Sequence, residues 1–254
     1  MKKITLSDAE DAYNADDNET ALKGSRKLAE QGDMDAQILL GWMYKRGEGV
    51  TQDFKEAFKW YSLAAEQGDA AAMAVVSFFY EATARFNWNI EQISSMSIEE
   101  RKAIGLKWRR LAAEKGDAIS QCRLGWNYAN GEGVAQDDKE AAKWYRLSAE
   151  QGDRNAQYRL GVMYEKGRGV TQDYKKAVKC YRAAAMRGLH EGHLGHPDAQ
   201  FNLYLCYRDG LGVEKDLEKA NYWHNKATER DNVAAFKYFE DQKNVFNFHY
   251  WKIQ

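Results

Sequence analysis

The histidines of segment 189–197 form the one group of side chains whose types and spacing suggest metal chemistry. They are His190, His193 and His196, and Glu191 lies between the first two. The order His-Glu-Gly-His is one residue shorter than H-E-x-x-H, a zinc motif that needs both histidines on one face of a helix. Two glycines and a proline in the segment also disfavour a helix. We therefore predict an inserted loop with solvated histidines and no bound metal; a metal-dependent hydrolase is the alternative.

Other catalytic signatures do not occur in the sequence. It contains no G-x-S-x-G nucleophile elbow and no phosphate-binding P-loop. The three cysteines, Cys122, Cys180 and Cys206, are too far apart for the short spacings of zinc and redox motifs. The sequence therefore predicts a protein that is not an enzyme and that needs no cofactor.

The composition limits the classes of partner. Among 254 residues, 37 Lys and Arg are balanced by 38 Asp and Glu, so the net charge is −1. Such a balance lacks the basic surplus with which proteins bind nucleic acids or anionic membranes. The mean hydropathy is −0.74, and no apolar run is long enough for a transmembrane helix. Because acidic residues follow the N-terminus where a secretory signal would be apolar, we expect a cytoplasmic protein.

A repeat of about 36 residues organises the chain. The segment Ala-Gln-x-x-Leu-Gly-x-x-Tyr begins at Ala36 and returns, with small changes, at Ala156 and Ala199. Its final tyrosine marks five repeats, at Tyr44, Tyr80, Tyr128, Tyr164 and Tyr207. The spacings are 36, 48, 36 and 43 residues, so two of the repeats contain insertions. Internal repeats of this length indicate stacked supersecondary units.

Each repeat is predicted to be a pair of helices joined by a glycine loop. The loop G-x-G-V begins at Gly47, Gly131, Gly167 and Gly210. Glycine suits the end of a helix, where the backbone needs a positive φ. An aspartate follows each loop and is a strong N-cap for a second helix; these residues are Asp53, Asp137, Asp173 and Asp216. One such pair cannot bury its own apolar face, so neighbouring pairs must stack.

This pattern resembles that of Sel-one-like repeats, a branch of the tetratricopeptide repeat superfamily. The shared motif is A-x-x-x-L-G-x-x-Y, then G-x-G-V, then D-x-x-x-A-x-x-W-x-x-x-A-A, and it covers about residues 34–231. The resemblance implies an all-α fold, a right-handed α-solenoid of stacked helix-turn-helix repeats. The repeat at 70–116 departs from the motif, because Ser77 replaces the glycine and other residues replace the glycine loop.

We predict a single repeat domain over residues 1–254. Its first hairpin, 7–31, is similar to an ordinary tetratricopeptide unit, and a capping helix with an aromatic tail ends the chain at 233–254. Between them we expect five repeats and two insertions: repeat 34–68, repeat 70–116 with insertion 81–103, repeat 118–152, repeat 154–188, the histidine-rich insertion 189–197, and repeat 198–231.

The resemblance also implies a non-enzymatic protein–protein interaction module or adaptor, with a concave groove lined by the first helix of each repeat. Tetratricopeptide proteins hold ligands at variable positions of those helices. The corresponding residues here are Trp42, Phe78, Arg123, Trp126, Asn127, Arg159 and Asn202. Arginine binds carboxylates in a bidentate manner, so we predict a protein or peptide partner with an acidic residue or a C-terminal carboxylate. Alternatively, the aromatic residues of this set belong to the core between repeats.

Three further alternatives are open at this stage. Some bacterial members of the resembling family are immunity proteins that neutralise a cognate toxin, and this chain is compatible with that role. The insertion 81–103 either folds back onto the solenoid or forms a contact, and Ser97 with Glu100 predicts a capping box at the start of the next helix. The C-terminal aromatic tail either covers the last hairpin or mediates self-association.

Overall fold

α-Helices are the one type of regular secondary structure in residues 5–86, 88, 90–186 and 195–228, the part of the chain that the computed structural model describes. The thirteen helices of these residues are α1 (Leu6–Asn14), α2 (Asn18–Glu30), α3 (Met34–Arg46), α4 (Phe54–Glu66), α5 (Ala70–Phe86), α6 (Glu91–Ser94), α7 (Ile98–Glu114), α8 (Ala118–Asn130), α9 (Asp138–Glu150), α10 (Arg154–Lys166), α11 (Tyr174–Ala185), α12 (Pro197–Asp209) and α13 (Leu217–Thr228).

The helices pack in consecutive pairs, which confirms the predicted all-α solenoid fold class. Two compact units, Met1–Asp153 and Arg154–Gln254, divide the chain. In the first unit α1 packs on α2, α3 on α4, α5 on α7, and α8 on α9. In the second unit α10 packs on α11, and α12 on α13. The short helix α6 belongs to the connection between α5 and α7.

Glycine and aspartate fix where the two helices of a repeat end and begin. Gly47 follows α3 with a φ of 76°, and its N–H donates to the carbonyl of Met43. Asp53 precedes α4, and its carboxylate accepts from the backbone N–H groups of Lys55 and Glu56. Both cap types satisfy backbone groups that have no partner inside the helix. The later loops repeat this arrangement at Gly131 with Asp137 and at Gly210 with Asp216.

A glycine on the first helix of a repeat lets an aromatic ring of the second helix approach the backbone. A Cβ atom at Gly125 would lie 2.8 Å from Cδ1 of Tyr145, and one at Gly41 would lie 3.0 Å from Cδ2 of Tyr61. Both tyrosines are buried. The glycine of the repeat motif is therefore a packing residue, because a larger side chain would overlap the ring.

Glutamine side chains connect successive hairpins of the first unit. Gln67, after α4, donates to the carbonyl of Gly32 at 3.1 Å and to Oε1 of Gln37 at 2.8 Å. Gln37 in turn donates to the carbonyl of Ala29 at the end of α2. Two repeats later, Gln151 makes the equivalent bonds to the carbonyl of Gly116 and to Oε1 of Gln121. These bonds satisfy backbone carbonyls near the helix ends, and they join the second hairpin to the first and the fourth hairpin to the third.

The third hairpin departs from the repeat and buries several of its inserted apolar residues in the core. Trp88 stacks on Phe54 with ring centroids 4.6 Å apart and lies 5.2 Å from the ring of Phe79. Ile90 and Ile93 are fully buried in the same hydrophobic cluster. The described part of insertion 81–103 thus folds back onto the solenoid. The predicted capping box at Ser97 and Glu100 is confirmed, and it begins α7.

Two predictions concern segments outside the described residues. His190 and His193 of the histidine-rich insertion 189–197 lie there, as do the capping helix and aromatic tail predicted for 233–254. Their roles stay predictions.

Candidate functional site

The first helices of the four hairpins in the first unit, α1, α3, α5 and α8, line one face of that unit. Tyr13 of α1 bonds to Trp42 of α3, and Ile38 of α3 packs against the hydrophobic cluster that contains α5 residues. Arg123 of α8 lies over the ring of Phe78 on α5. We call this surface the first-helix face. Three residues predicted to bind a partner lie on it, Trp42, Phe78 and Arg123; Trp126 has the same register position on α8 as Trp42 has on α3.

Trp42 lies at the α1 end of the first-helix face and is 38 % exposed. Its indole N–H donates to the Tyr13 hydroxyl at 2.8 Å, and that hydroxyl donates to Glu48 at 2.5 Å. The bond to Glu48 raises the pKa of Tyr13. The Arg46 guanidinium lies 5.1 Å from the centroid of the Trp42 ring and pairs with Glu48. The orientation of Trp42 is therefore fixed, although its surface is accessible.

An arginine–glutamate–arginine cluster lies at the α5–α8 end of the face. Arg109 of α7 is 6 % exposed and forms an ion pair with Glu81. The other oxygen of Glu81 lies 3.7 Å from Nη1 of Arg123, whose side chain is 41 % exposed. Burial, together with the nearby charge of Arg123, lowers the pKa of Arg109 to about 10, so Arg109 is charged at neutral pH. The cluster holds two cations and one anion, with one cation at the surface.

Asn127 lies beneath this cluster, although the sequence placed it among the partner-binding residues. It is 5 % exposed. Its side-chain oxygen accepts from Arg109 at 2.9 Å, and its amide donates to the carbonyl of Glu132. Asn127 therefore positions Arg109 and offers no surface to a partner. The neighbouring Trp126 is half-buried, and its indole N–H has no acceptor among the described residues.

The remaining two predicted residues, Arg159 and Asn202, lie in the second unit. Arg159 is half-buried, and its charge acts against the rise that burial causes in the pKa of Asp198. The Asn202 side chain acts against the rise in the pKa of Tyr181, whose hydroxyl donates to Glu165 at 2.6 Å. Burial raises the pKa of Tyr181 well above its ordinary value. Asn202 thus belongs to an internal network, whereas Arg159 has no ion-pair partner within the described residues.

Sequence reasoning missed Arg109 and Glu81, and a signal for them exists. Position 109 corresponds to the tyrosines that pack against the glycines of other repeats, Tyr61, Tyr145 and Tyr181. Position 81 corresponds to Glu165, which accepts from Tyr181. When the repeats are aligned, position 109 thus has an arginine where other repeats have a buried tyrosine, and position 81 has a glutamate that can pair with it. This difference is visible in the sequence.

The predicted histidine loop is represented in the described residues by His196, whose side chain is only 14 % exposed. The prediction of solvated histidines is therefore wrong for this residue. This residue is the N-cap of α12, a position that aspartate occupies in α3 and α8, and its ring stacks on Tyr158 with centroids 4.5 Å apart. Across the described ranges, no three His, Cys, Asp or Glu side chains are grouped to hold a metal ion. None of the helices described there combines the length and the apolar character that a membrane span requires.

Comparison with known proteins identifies similar chains. A crystal structure of a Sel1 repeat protein from Oxalobacter formigenes is 30% identical, with a TM-score of 0.74, and the match covers 92% of this chain and 88% of that one. A protective antigen of uropathogenic Escherichia coli with an SLR fold is 29% identical, with a TM-score of 0.58, over 94% of this chain and 56% of the antigen.

A curated relative is similar over a shorter segment. An exopolysaccharide production negative regulator of Rhizobium leguminosarum bv. viciae is 41% identical over 71 residues, which is 28% of this chain and 27% of the regulator. The chain thus matches only about a quarter of that protein's length.

The family model of the Sel1 repeat matches five segments of the chain. They are residues 35–69, 118–153, 154–189, 197–232 and 228–240. The hairpin with the insertion lies between the first two segments and is not matched, in agreement with its altered glycine and loop. Since the matches cover more than half of the 254 residues, the chain belongs to the Sel1 repeat family.

Proposed function

We propose that this protein binds a protein partner through the first-helix face, and that Arg123 receives an acidic side chain or a C-terminal carboxylate of that partner. Sel1 repeats generally mediate protein–protein interaction and typically form non-enzymatic scaffolds. The proposal adds a surface and a chemistry to that general role. The observation that carries it is the position of Arg123, which is accessible while the groups beneath it are fixed.

The surroundings of Arg123 favour binding of an anion. Its guanidinium lies 5.9 Å from the centroid of the Phe78 ring. Glu81 approaches Arg123 only to 3.7 Å, because Arg109 holds the same carboxylate. The two arginines and one glutamate carry a net charge of +1, and the donors of Arg123 are not consumed by a short hydrogen bond. Arginine and tryptophan are also the residues most often found at interface hot spots.

Arg159 of the second unit is a second proposed contact. It is half-buried on the first helix of its hairpin, at the position that Arg123 occupies in its own repeat. We treat it as a separate anion-binding position of the second unit.

The test is affinity capture from a lysate of the source organism, followed by mass spectrometry and a binding titration with the captured protein. Arg123→Glu is expected to weaken binding at least tenfold, because it removes the cation and adds repulsion. Lys107→Glu is the matched control, since it makes the same charge change at an exposed position of α7. Equal binding by wild type and Arg123→Glu would disprove the assignment of Arg123. Arg159→Glu tests the second contact in the same way.

The immunity role is a narrower form of the same proposal. It requires that the captured partner be a toxin and that addition of this protein abolish the toxin's activity. An adaptor role requires a partner whose activity the complex does not abolish. An activity assay on the purified complex separates the two.

A further inference from the structure

A groove between α1 and α3 lies at the other end of the first-helix face from Arg123. Its volume is about 390 Å³, and it is lined by Glu10, Tyr13, Asp35, Ile38, Leu39 and Trp42. Its walls are mostly apolar and aromatic, and its two carboxylates are exposed. A groove of this size accommodates one long side chain and not a compact domain.

The aromatic walls of the groove are held in place from behind. The Trp42 N–H donates to Tyr13, and the Tyr13 hydroxyl donates to Glu48. Glu48 also pairs with Arg46, and these hydrogen bonds lower the pKa of Glu48. The negative charge behind the wall is thus balanced by a cation of the chain itself. A ligand would not have to order these rings, which lowers the entropy cost of binding.

The carboxylates at the mouth of the groove are not balanced in this way. Within the described residues, neither Glu10 nor Asp35 forms an ion pair or a side-chain hydrogen bond. The surrounding sequence adds to the negative charge, because residues 5–22 contain six carboxylates and no Lys, Arg or His. The six are Asp8, Glu10, Asp11, Asp16, Asp17 and Glu19. Glu19 pairs with Lys23 just beyond this segment, so the excess of negative charge is local to α1 and the turn that follows it.

We propose that this groove receives an arginine or lysine side chain from a basic segment of the partner protein. The aliphatic stem would lie against Leu39 and the aromatic walls, and the cationic group would meet Glu10 and Asp35. Arginine and lysine have this division into an apolar stem and a charged end. Carboxylates attract such a group. The Trp42 ring already has Arg46 and Lys45 at 5.1 and 5.8 Å from its centroid, so its part in binding is apolar contact with the stem.

The inference extends the proposed function and rests on it for the identity of the ligand as part of a protein. Together the two sites give the bound segment a polarity, with a basic residue at the α1–α3 end and an acidic group at Arg123. Each site is nevertheless tested by its own ligand, so that the two proposals can fail separately.

The experiment is an NMR titration of the full ¹⁵N-labelled chain with the peptide acetyl-Gly-Arg-Gly-amide. We expect saturable shifts of the Trp42 indole N–H signal, which Trp42→Phe identifies. The matched peptide contains citrulline, which has nearly the same shape as arginine but no charge. It is expected to bind at least about fivefold more weakly, as loss of two exposed charge interactions would cause.

A pair of double variants locates the effect in the groove. Glu10→Gln with Asp35→Asn is expected to weaken binding of the arginine peptide at least about fivefold. Glu30→Gln with Glu66→Gln removes the same charge from exposed positions of α2 and α4 outside the groove, and it should change binding less than twofold. The inference is overturned if no saturable shift occurs, if the citrulline peptide binds equally well, or if both double variants weaken binding alike.

The result is independent of the capture experiment. A groove that binds the arginine peptide in a chain whose Arg123→Glu variant captures its partner normally would uphold this inference and refute the proposed role of Arg123. The opposite pair of results would refute the inference alone.

Discussion

Arg109 occupies a buried position that tyrosine fills in other repeats. Its guanidinium replaces the Tyr181–Glu165 hydrogen bond of the second unit with an ion pair to Glu81 and a hydrogen bond to Asn127. Asn127 itself occupies the repeat position at which two other repeats have Met43 and Met163. Arg109 and Asn127 therefore compensate each other, because each supplies the hydrogen-bond partner that the other needs when it is buried.

Arg109→Leu is expected to destabilise the first unit by about 3 kcal/mol, because it leaves Glu81 and Asn127 without their buried partner. Urea unfolding followed by circular dichroism measures the change. Arg123→Leu is the control and should cost less than about 1 kcal/mol, since its ion pair is exposed. Equal losses for the two variants would show that Arg109 has no special structural role.

The close approach of glycine to tyrosine leads to a second prediction. Gly125→Ala should destabilise the protein by about 1–3 kcal/mol, because its Cβ would lie 2.8 Å from Cδ1 of Tyr145, a fully packed ring. Gly105→Ala is a milder comparison within the same unit, since its nearest neighbours would be 3.3 Å away. Chemical unfolding of both variants checks the order. A greater loss for Gly105→Ala would contradict this account of the packing.

At the scale of the element, aspartate caps connect helix formation to pH. Asp173 accepts from the backbone N–H of Lys176, and Asp216 accepts from the ammonium and the N–H of Lys219. These bonds lower the pKa of both carboxyls below the ordinary value of 3.8. Near that pH the folded chain therefore binds fewer protons than the unfolded chain. The stabilisation is fully present above pH 4 and is lost as the pH falls through the lowered pKa values.

The variant Asp173→Asn with Asp216→Asn isolates the charge of these caps, because asparagine is also a good N-cap. We expect the wild type to be more stable than the variant at pH 7 and the difference to shrink at pH 3. Urea midpoints at both pH values measure it. A difference that is the same at the two pH values would exclude a contribution from the cap charges.

The helices of regular repeats could be predicted from the sequence because glycine and aspartate act locally. Gly47 ends α3 and Asp53 begins α4 through bonds within a few residues, so their types and spacing suffice. Insertion 81–103 could not be assigned in this way. Its outcome depends on Trp88 and Ile93 finding space among distant aromatic residues, and apolar composition alone does not distinguish a core contact from a partner contact.

The candidate site also combines features that local sequence predicts with features that depend on distant residues. The accessibility of Arg123 is predicted from its register on the first helix. The sequence leaves the exposure of Trp42 open, because Phe78 and Trp126 at the same register position are half-buried. The burial of Asn127 is not predictable from its register, because it depends on Arg109 from the preceding helix. A polar residue at a repeat position that is normally buried indicates a buried polar partner on another helix. That partner can be identified only when the sequences of the neighbouring repeats are aligned.

At the scale of the whole molecule, the charge distribution is uneven although the total is close to zero. The acidic residues of 5–22 lie at one end of the sequence, and the net charge of −1 requires a basic excess in the remainder. Long-range attraction between such a region and a basic partner is screened by salt. Polarity of this kind affects the orientation in which a partner approaches.

The metal-hydrolase alternative is decided by a measurement on the whole protein. Protein purified without a histidine tag is expected to contain fewer than about 0.1 zinc ions per chain, because the histidine spacing does not match a helical zinc motif. Elemental analysis gives the content, and added zinc followed by chelation should leave the melting temperature unchanged. Stoichiometric zinc that is lost in His190→Ala and His193→Ala would restore the hydrolase hypothesis.

The third hairpin places its small residue on the opposite helix from its neighbours. Ser77 stands where Gly41 and Gly125 stand in other repeats, and Gly105 on α7 stands where they have alanine. The Ser77 hydroxyl donates to the Gly105 carbonyl at 2.8 Å. The two helices of this hairpin therefore form a matched pair. Exchange of α7 alone for α9 would bring a tyrosine against Ser77, so we expect a transplant of this hairpin to keep its packing only when both helices move together.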